Sequence, residues 1–339
     1  MDIFSTDALA AVVADLRVPA EGLAAKYFTA ISQNDTEEIH FDVANRPRRM
    51  APFVSPLVAG KVIKSAGFRT STFRPAYVKD KRVFSPNRAL KRSMGESIGG
   101  GEISPAQRMQ LLLVSDLQDQ LDMLERRLEW MAVQAMVYGA VTVVGEGYPA
   151  VVVDFGRAGA HAVVKPNGDK WIDIGVNPMD DLQDWSDTMV KTTGAGIVDV
   201  VMGLDVWKAF RRSPHVESRL DMWRGTSTME QNAHQKDGLA FQGMVDNFNV
   251  YTYSGWAVDP ATGVESQIFP AGTVLCNAGD LVEGTRCHGA ILDHDCLVAV
   301  PYFAKSWPDK DPSIRNLLMQ SAPLMVPYRV NATFRASVL

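Results

Sequence analysis

The most regular hydrophobic pattern in the chain lies between residues 104 and 139. It opens with Ser104, Pro105 and Gln107, the residues of a capping box with proline at the first helical position. Apolar residues then recur at alternating steps of four and three, and they are Leu117, Leu121, Leu124, Leu128, Met131, Ala135 and Tyr138. This spacing predicts one helix of roughly 50 Å that ends before Gly139. A coiled coil would show the same seam, but the stripe lasts only about three heptads, which favours a spine helix laid across a sheet.

The segment before this helix is less regular. Residues 6–17 predict a short helix, and the alternation of polar and apolar residues at 38–43 predicts a half-buried strand. The stretch between them, to about residue 35, is expected to be loose. Because these residues are too few to bury a core of their own, the first 45 residues are predicted to be an arm that lies on another surface.

Residues 46–92 contain five prolines, which exclude a continuous helix. Residues 69–74 and 77–84 are rich in β-favouring residues and predict a long hairpin that turns or bends at Pro75. The glycine-rich stretch after this segment, residues 94–102, lacks the lysine of a phosphate-binding loop. Its Gly99, Gly100 and Gly101 therefore predict a flexible hinge.

Beyond the long helix, helical and strand patterns alternate. Residues 141–155 predict two strands around a Gly-Pro turn, and residues 160–175 predict weaker strands with a hairpin turn at Asn167-Gly168. The later elements are helices at 178–191 and 206–212 and strands at 197–202, 245–253 and 291–300. This alternation over residues 177–320 predicts an α/β lobe. Residues 320–339 alternate like a strand that returns to the sheet beneath the long helix, so the fold class is α+β.

The charge of the chain is distributed unevenly. The 339 residues carry a net charge of −5, yet the segment from Arg46 to Arg92 has thirteen basic residues and Asp80 as its only acid. That segment carries +12 and the rest of the chain −17, which lets one copy attract another. A solvated loop is the alternative, but the charge division favours an arm that lies on an acidic neighbour. The basic segment could also contact the phosphates of packed DNA. Sequence readout is not expected, because the whole chain is acidic, with a pI of about 5.7.

Candidate chemistry is weak. The three cysteines argue against a disulfide framework. Zinc-type ligands are concentrated in one region, and they are Cys276, Cys287, His288, Asp293, His294, Asp295 and Cys296. Their spacing matches no zinc motif, so buried or loop side chains are the favoured interpretation and a metal-dependent enzyme is the least favoured one. We expect no catalytic site, no cofactor and no membrane span.

Several segments resemble a known family in the same order along the chain. Residues 50–61 (MAPFVSPLVAGK) and 73–79 (FRPAYVK) resemble the start and middle of the extended loop in lambda-type major capsid proteins of tailed phages, the capsid E family. The helix at 108–138 with the turn at Gly145-Glu146 is similar to that family's spine helix and its exit. Further matches are Asp180-Asp181, residues 203–212 with Trp207, and residues 320–325 (QSAPLM).

This resemblance implies the Hong Kong 97-type phage capsid fold. It divides the chain into an N-terminal arm (1–45), an extended β-hairpin loop with flanking strands (46–103), a peripheral domain with the spine helix (104–176), an axial domain (177–320) and a C-terminal peripheral strand (321–339). It implies a structural protein that forms hexamers and pentamers of itself, closes into an icosahedral shell around double-stranded DNA and expands from a procapsid. A nanocompartment shell of the same fold is the alternative.

The resemblance also implies partners and contacts. The partners are a portal at one vertex, a scaffolding protein and, in some relatives, a decoration protein, with assembly in the host cytoplasm. Because only about 45 residues precede the extended loop, we expect the scaffolding protein to be a separate chain and the N-terminus to be little processed. The residues expected to contact neighbouring subunits are Phe53, Val54, Lys61, Lys64, Arg69, Phe73, Arg74, Tyr77, Lys79, Lys81, Arg82 and Phe84.

Overall fold

A computed structural model of the chain describes residues 6–15, 22–36, 38–44, 50, 51, 53, 55, 68–91, 104–145, 147–217, 220–221, 238–260, 262–311 and 313–339. The helices within these residues are α1 (Thr6–Asp15), α2 (Leu23–Tyr27), α3 (Pro86–Leu90), α4 (Pro105–Tyr138), α5 (Pro178–Thr193), α6 (Leu204–Arg212) and α7 (Pro214–Glu217). Short 3₁₀ helices span Gly159–His161, Gly279–Val282 and Val330–Ala332.

The strands form several small sheets and one large sheet. They are β1 (Ala30–Asn34), β2 (Ile39–Ala44), β3 (Phe68–Phe73), β4 (Val78–Phe84), β5 (Ala140–Gly145), β6 (Tyr148–Asp154), β7 (Ala162–Val164), β8 (Asp199–Gly203), β9 (Leu220–Asp221), β10 (Leu239–Val245), β11 (Phe248–Tyr253), β12 (Trp256–Val258), β13 (Glu265–Gln267), β14 (Thr273–Asn277), β15 (Gly284–Gly289), β16 (Phe303–Asp309), β17 (Ile314–Ser321), β18 (Pro323–Pro327) and β19 (Thr333–Ser337).

The predicted spine helix is confirmed as α4, with both of its predicted ends. The Ser104 hydroxyl accepts a hydrogen bond from the Gln107 amide at 3.2 Å, and the Gln107 side chain accepts one from the Ser104 amide at 3.0 Å. At the other end Gly139 has a φ of +69°, the left-handed conformation that ends many helices. The apolar stripe is buried from Leu117 to Ala135, whereas its last predicted member, Tyr138, is 41% exposed.

Two three-stranded sheets lie beside α4. In the first, β15 is central, pairs with β1 in parallel and with β18 antiparallel, and α4 packs against β18. In the second, β17 is central between β16 and β4. The second sheet shares a small core with α4 and with α1, whose Leu9 is fully buried against Phe84 and Leu117. The first helix of the predicted arm therefore lies on its own chain.

The seven-stranded sheet has the order β7-β19-β14-β8-β11-β10-β9. Its central strand β8 is buried at every residue, and it pairs with β11 in parallel and with β14 antiparallel. Helix α5 packs on this sheet through Trp185, whose ring stacks on that of Phe334 in β19 with the centroids 5.4 Å apart. This sheet with α5–α7 corresponds to the α/β lobe predicted from the alternating pattern.

The C-terminal residues form two strands rather than one. Within them, β18 joins β15 under the spine helix, while β19 joins the large sheet between β14 and β7. The expected boundary at residue 320 therefore does not separate layers of the structure. The chain changes sheets earlier than residue 320. The consecutive strands β14 and β15 already belong to different sheets, and β19 and β18 pair with them in turn.

The prediction of a hairpin around Pro75 is wrong, because the two strands that flank Pro75 do not pair with each other. The strands β3 and β4 occur as expected, but β3 pairs antiparallel with β2, from Ile39 opposite Phe73 to Ala44 opposite Phe68, and β4 pairs with β17. Pro75 is buried where the two strands diverge, and the backbone of Gly289 lies so close that an added Cβ would be 2.8 Å from the proline Cγ. The hairpin is thus β2–β3, whose two strands are connected by residues 45–67.

Four shorter predictions also need correction. Residues 22–34, expected to be loose, form α2 and β1, because Leu23, Ala24, Tyr27 and Phe28 are buried. The predicted hairpin turn at Asn167-Gly168 is a turn without a hairpin, since β7 pairs with β19. The single strand expected at 245–253 is the end of β10, a turn with Asp246 at φ +48°, and β11. Residues 291–300 contain only isolated bridges, one of them between Asp293 and Cys296.

Candidate subunit interface

Strand β4 carries the described part of the predicted contact surface, and its two faces differ. Lys79, Lys81 and Val83 are exposed on the outer face, whereas Asp80, Arg82 and Phe84 alternate with them toward α4. The strand is held in this orientation by β17, where Lys79 lies opposite Gln320. The Gln120 side-chain amide of α4 donates to the Asp80 carbonyl at 3.1 Å, which fixes the helix over the inner face.

The inner face of β4 has its charges paired within the chain. The Arg82 guanidinium contacts Asp119 at 2.6 Å, Asp80 at 3.1 Å and Asp116 at 3.5 Å. Arg88 of α3 forms a two-point pair with the same Asp116, at 2.8 and 3.2 Å. The sequence predicts that Arg82 contacts a neighbouring subunit. In the structure its guanidinium pairs with acidic residues of its own spine helix, and the contact with a neighbour stays a prediction.

The outer face of β4 keeps its positive charge in contact with solvent. The Lys79 ammonium lies 4.9 Å from the ring centroid of Tyr77, and that of Lys81 lies 5.3 Å from the ring centroid of Trp307. Such cation–π contacts are weak at exposed sites and leave the charge available to a partner. Lys79 and Lys81 therefore stay in the predicted contact set.

The aromatic residues of the predicted set separate into two groups. Phe73 is 7% and Phe84 is 2% exposed, so both belong to the core of this chain, and this burial argues against their predicted contact with a neighbour. Tyr77 is partly buried, and its hydroxyl donates to the Ala290 carbonyl at 2.7 Å and accepts from the Leu292 amide at 3.2 Å. Phe53 is fully exposed and is the one aromatic residue of the set, among those described, with its ring in solvent.

The remaining members of the set are less defined. Arg74 is exposed, and its carbonyl accepts a hydrogen bond from the Tyr148 hydroxyl at the tip of the β5–β6 hairpin. Arg69 lies in β3 opposite Val43. Val54, Lys61 and Lys64 and the predicted hinge glycines Gly99, Gly100 and Gly101 lie outside the described residues.

The zinc-type residues do not form a common site. Cys276 is in the large sheet and Cys287 in the sheet under α4, and burial raises the pKa of both thiols, that of Cys287 to about 12. Asp293 forms an ion pair with Lys305 at 2.8 Å. In the described ranges, no three His, Cys, Asp or Glu side chains come together as a metal ion would require. The buried and loop positions favoured for these residues are what the structure has.

The matches with known proteins extend over the whole fold. A family model described as phage major capsid protein E matches residues 5–338. The chain belongs to this family. The resemblance stated from the sequence is therefore confirmed, and with it the role of a structural protein of the phage shell.

Individual relatives support the same family. This capsid protein is 29% identical over 302 residues to the major capsid protein of Escherichia phage lambda, and the match covers 86% of each chain. The major capsid protein of Enterobacteria phage phi80 shows the same identity, length and coverage. These relatives are structural capsid proteins.

Solved structures confirm the α+β Hong Kong 97-type fold. A crystal structure described as a capsid protein of a prophage of E. coli CFT073 superposes with a TM-score of 0.75 at 20% identity, over 98% of this chain and 99% of that chain. The capsid of Ralstonia phage GP4 has a TM-score of 0.54 at 11% identity, over 95% of this chain and 92% of that chain. In the part of the capsid protein that the structure describes, no helix combines the length and hydropathy that a membrane crossing requires.

Sequence reasoning missed a buried polar cluster around α2. The Asp199 carboxylate at the start of β8 contacts the Lys26 ammonium at 2.9 Å, the Tyr27 hydroxyl at 2.8 Å and the Asn249 amide at 2.9 Å. The Lys26 ammonium also lies 3.3 Å from the ring centroid of Tyr251. The available signal was the helical spacing of the apolar residues from Leu23 to Phe28, which indicates a short buried helix. No pattern in the sequence links that helix to Asp199, 172 residues away from Tyr27.

Proposed function

We propose that this capsid protein assembles as hexamers and pentamers that close into an icosahedral shell around double-stranded phage DNA. The shell forms first as a rounder procapsid in the host cytoplasm and expands when DNA is packaged. The role is mechanical, and no catalytic step is part of it. The main support is the match of the phage major capsid protein E family from residue 5 to residue 338.

The geometry around the β2–β3 hairpin, called the loop hairpin below, supports this proposal. The strands β2 and β3 form a two-stranded sheet of their own and do not extend the larger sheets. A two-stranded ribbon has little stability in water by itself, so a partner surface is expected for the part that leaves the body. Phe53 lies in the segment that β2 and β3 enclose and is fully exposed in the single chain. A neighbouring subunit is the surface that would cover it.

Charge on the outer face of β4 is proposed to set register between subunits. The exposed ammonium groups of Lys79 and Lys81 are close to the root of the hairpin, and the remainder of the chain outside residues 46–92 is strongly acidic. Exposed ion pairs contribute only about 0–1 kcal/mol each, so their effect is on steering and on the choice of register. Apolar contacts such as that of Phe53 are proposed to contribute most of the affinity.

The parts of the fold are proposed to act as in the family. The peripheral domain comprises α4 with the two three-stranded sheets, and the axial domain comprises the seven-stranded sheet with α5–α7. This division modifies the one expected from sequence, since β15–β18 pack with the spine helix. The proposed partners are further copies of the chain, a separate scaffolding protein, a portal at one vertex, a decoration protein where the phage has one, and DNA bound without sequence readout.

Electron microscopy of the expressed protein, together with its scaffolding protein, tests the proposal. We expect closed particles of uniform size, built from hexamers with pentamers at the vertices. Particles isolated from infected cells should contain double-stranded DNA protected from nuclease. Particles that instead enclose a cellular protein cargo would indicate a nanocompartment, and a protein that stays monomeric with its scaffolding protein would contradict the shell assignment.

A further inference from the structure

Residues 22–28, which include α2, are held to the spine helix by one carboxylate. The Glu129 side chain of α4 accepts hydrogen bonds from the backbone amides of Leu23 at 2.7 Å and Ala24 at 2.8 Å. Gly22 makes this approach possible, because a Cβ at that position would overlap the Glu129 carboxylate. One carboxylate thus satisfies two of the amides that a helix start leaves unpaired.

The opposite end of the segment is held to two sheets. Lys26 and Tyr27 bind Asp199 of the seven-stranded sheet, and the Arg286 guanidinium of β15 donates to the Phe28 carbonyl at 2.9 Å. Gly284 of the same strand lies against this end, where a Cβ would be 2.9 Å from the Phe28 ring. The segment therefore joins the spine helix to both neighbouring sheets.

Residues 22–28 are followed in the chain by β1 and then by β2, the first strand of the hairpin. Residue 30 begins β1, which pairs with β15 from Ala30 opposite Thr285 to Asn34 opposite Gly289. Residue 39 begins β2, the first strand of the loop hairpin. Only ten residues, 29–38, separate the held segment from the hairpin, so the position of residues 22–28 constrains the root of the loop.

The surroundings of Glu129 make its end of the segment sensitive to acid. Burial raises the pKa of Glu129, and this outweighs the amides of Ala24 and Leu23, the Tyr253 hydroxyl of β11 and Arg286 of β15, all of which lower it. Protonation turns one of the two accepting oxygens into an O–H donor and removes the negative charge, so the carboxyl accepts from the two amides more weakly than the carboxylate does. Because the folded chain takes up this proton more readily than the unfolded chain, acid loosens the contact without destabilising the whole fold through this group.

We propose that residues 22–28 are a latch whose Glu129 end opens when that carboxylate takes up a proton. Opening frees the root of the β2–β3 hairpin to change direction relative to the spine helix. The two ends differ in their contacts: the Asp199 carboxylate contacts an ammonium and two neutral donors, whereas the donors that the described residues place within hydrogen-bond distance of Glu129 are neutral. The consequence for shells rests on the proposed function, but the latch itself is a property of the single subunit.

Amide hydrogen exchange of the unassembled protein tests the latch. Exchange is compared at neutral and mildly acidic pH after correction for the intrinsic rate, with the peptide of β8 as the reference for global opening. Protection of residues 22–28 should fall roughly tenfold or more on acidification, since a hydrogen bond to a charged group is lost. In Glu129→Gln the protection should be low at both pH values, with β8 unchanged. Gly22→Ala, which pushes a methyl group into the carboxylate, should behave in the same way.

Asp122→Asn is the matched control, because Asp122 is on the same helix and accepts from the Gln118 side chain at 2.9 Å. It should keep the pH response of the wild type. A wild-type segment whose protection does not change with pH, or a pH response that persists in Glu129→Gln, would overturn the latch. Shell formation is scored separately by microscopy, so a failed latch with intact shells contradicts this inference alone.

Discussion

The Arg82 guanidinium of β4 lies 2.6 Å from the Asp119 carboxylate of the spine helix, and Asp80 and Asp116 complete its surroundings. The positive charge of this segment is therefore divided between two uses. Residues on the inner face of β4 attach the strand to its own helix, and residues on the outer face remain for a partner. A uniform positive arm, as the sequence suggested, is not what the strand presents.

Charge reversal should separate these two uses. Lys79→Glu with Lys81→Glu should leave the free energy of unfolding within about 0.5 kcal/mol of wild type, as is usual for exposed positions, and should lower shell yield. Arg82→Glu should lower the free energy of unfolding by about 1–2 kcal/mol, because it places a carboxylate among Asp80, Asp116 and Asp119 in partly exposed positions. Urea unfolding of the subunit and sedimentation of assembled particles are the two measurements. Normal shells from the lysine double variant would show that the outer face has no assembly role.

The end of the spine helix offers a matched pair of glycines. Gly139 and Gly147 both have a φ of +69°, but a Cβ at Gly139 would lie 2.8 Å from the Arg157 Cβ, whereas Gly147 has open space. Gly147→Ala should therefore cost only the conformational strain, about 1 kcal/mol, and Gly139→Ala should cost about 2–3 kcal/mol. Arg157 cannot move away freely, because it donates to the carbonyls of Met136 and Val137 at 3.0 and 2.7 Å. Equal losses in urea unfolding would mean that the helix end absorbs the methyl group.

His288 should make the subunit sensitive to acid. It is 2% exposed on β15, and burial, with a smaller contribution from Arg286, lowers its pKa from 6.5 to about 4. As the pH falls below 6.5 the unfolded chain takes up the proton first, so the free energy of unfolding decreases between pH 6.5 and 4. The full loss is about 3 kcal/mol. Thermal unfolding across this range should show a smaller decrease in His288→Gln.

The control for this experiment is His40→Gln, since His40 is exposed on β2 and lies 3.0 Å from the Thr72 hydroxyl. It should reproduce the pH dependence of the wild type. Burial also lowers the pKa of His161, so some acid sensitivity should persist in His288→Gln. Identical curves for wild type and His288→Gln would show that His288 is not a source of the dependence.

The sequence predicted elements well where a local pattern decides them. The spine helix was predicted to within a residue at both ends, because its capping box, its uninterrupted stripe and Gly139 are all local signals. The strands β3 and β4 were predicted, but their pairing was not, because strand pairing depends on distant residues such as those of β17. The same reason explains the division of the C-terminal residues between two sheets.

The candidate contact residues were harder to predict than the fold. Alternation in β4 marks two faces, yet the sequence does not say which face meets α4, so Arg82 and Phe84 were grouped with Lys79 and Lys81. Asp116 and Asp119 of the spine helix would have been the signal, since acidic residues three apart on one helix face can receive a basic strand. Residues whose charge or ring is satisfied within the chain cannot be distinguished from contact residues until the pairing is known.

Phe53 and Phe84 provide the sharpest test of how the loop contributes to shells, because both were expected to be apolar anchors and the structure separates them. Phe84 is buried in the small core with Leu117 and Leu317, so Phe84→Ala should lower the free energy of unfolding by about 3–5 kcal/mol. Phe53 is fully exposed, so Phe53→Ala should leave the free energy of unfolding unchanged within about 0.5 kcal/mol. If a neighbouring subunit covers Phe53, the same variant should nevertheless yield fewer closed particles by microscopy. Shell yields equal to wild type in Phe53→Ala would remove Phe53 from the interface and leave the contact to the outer face of β4.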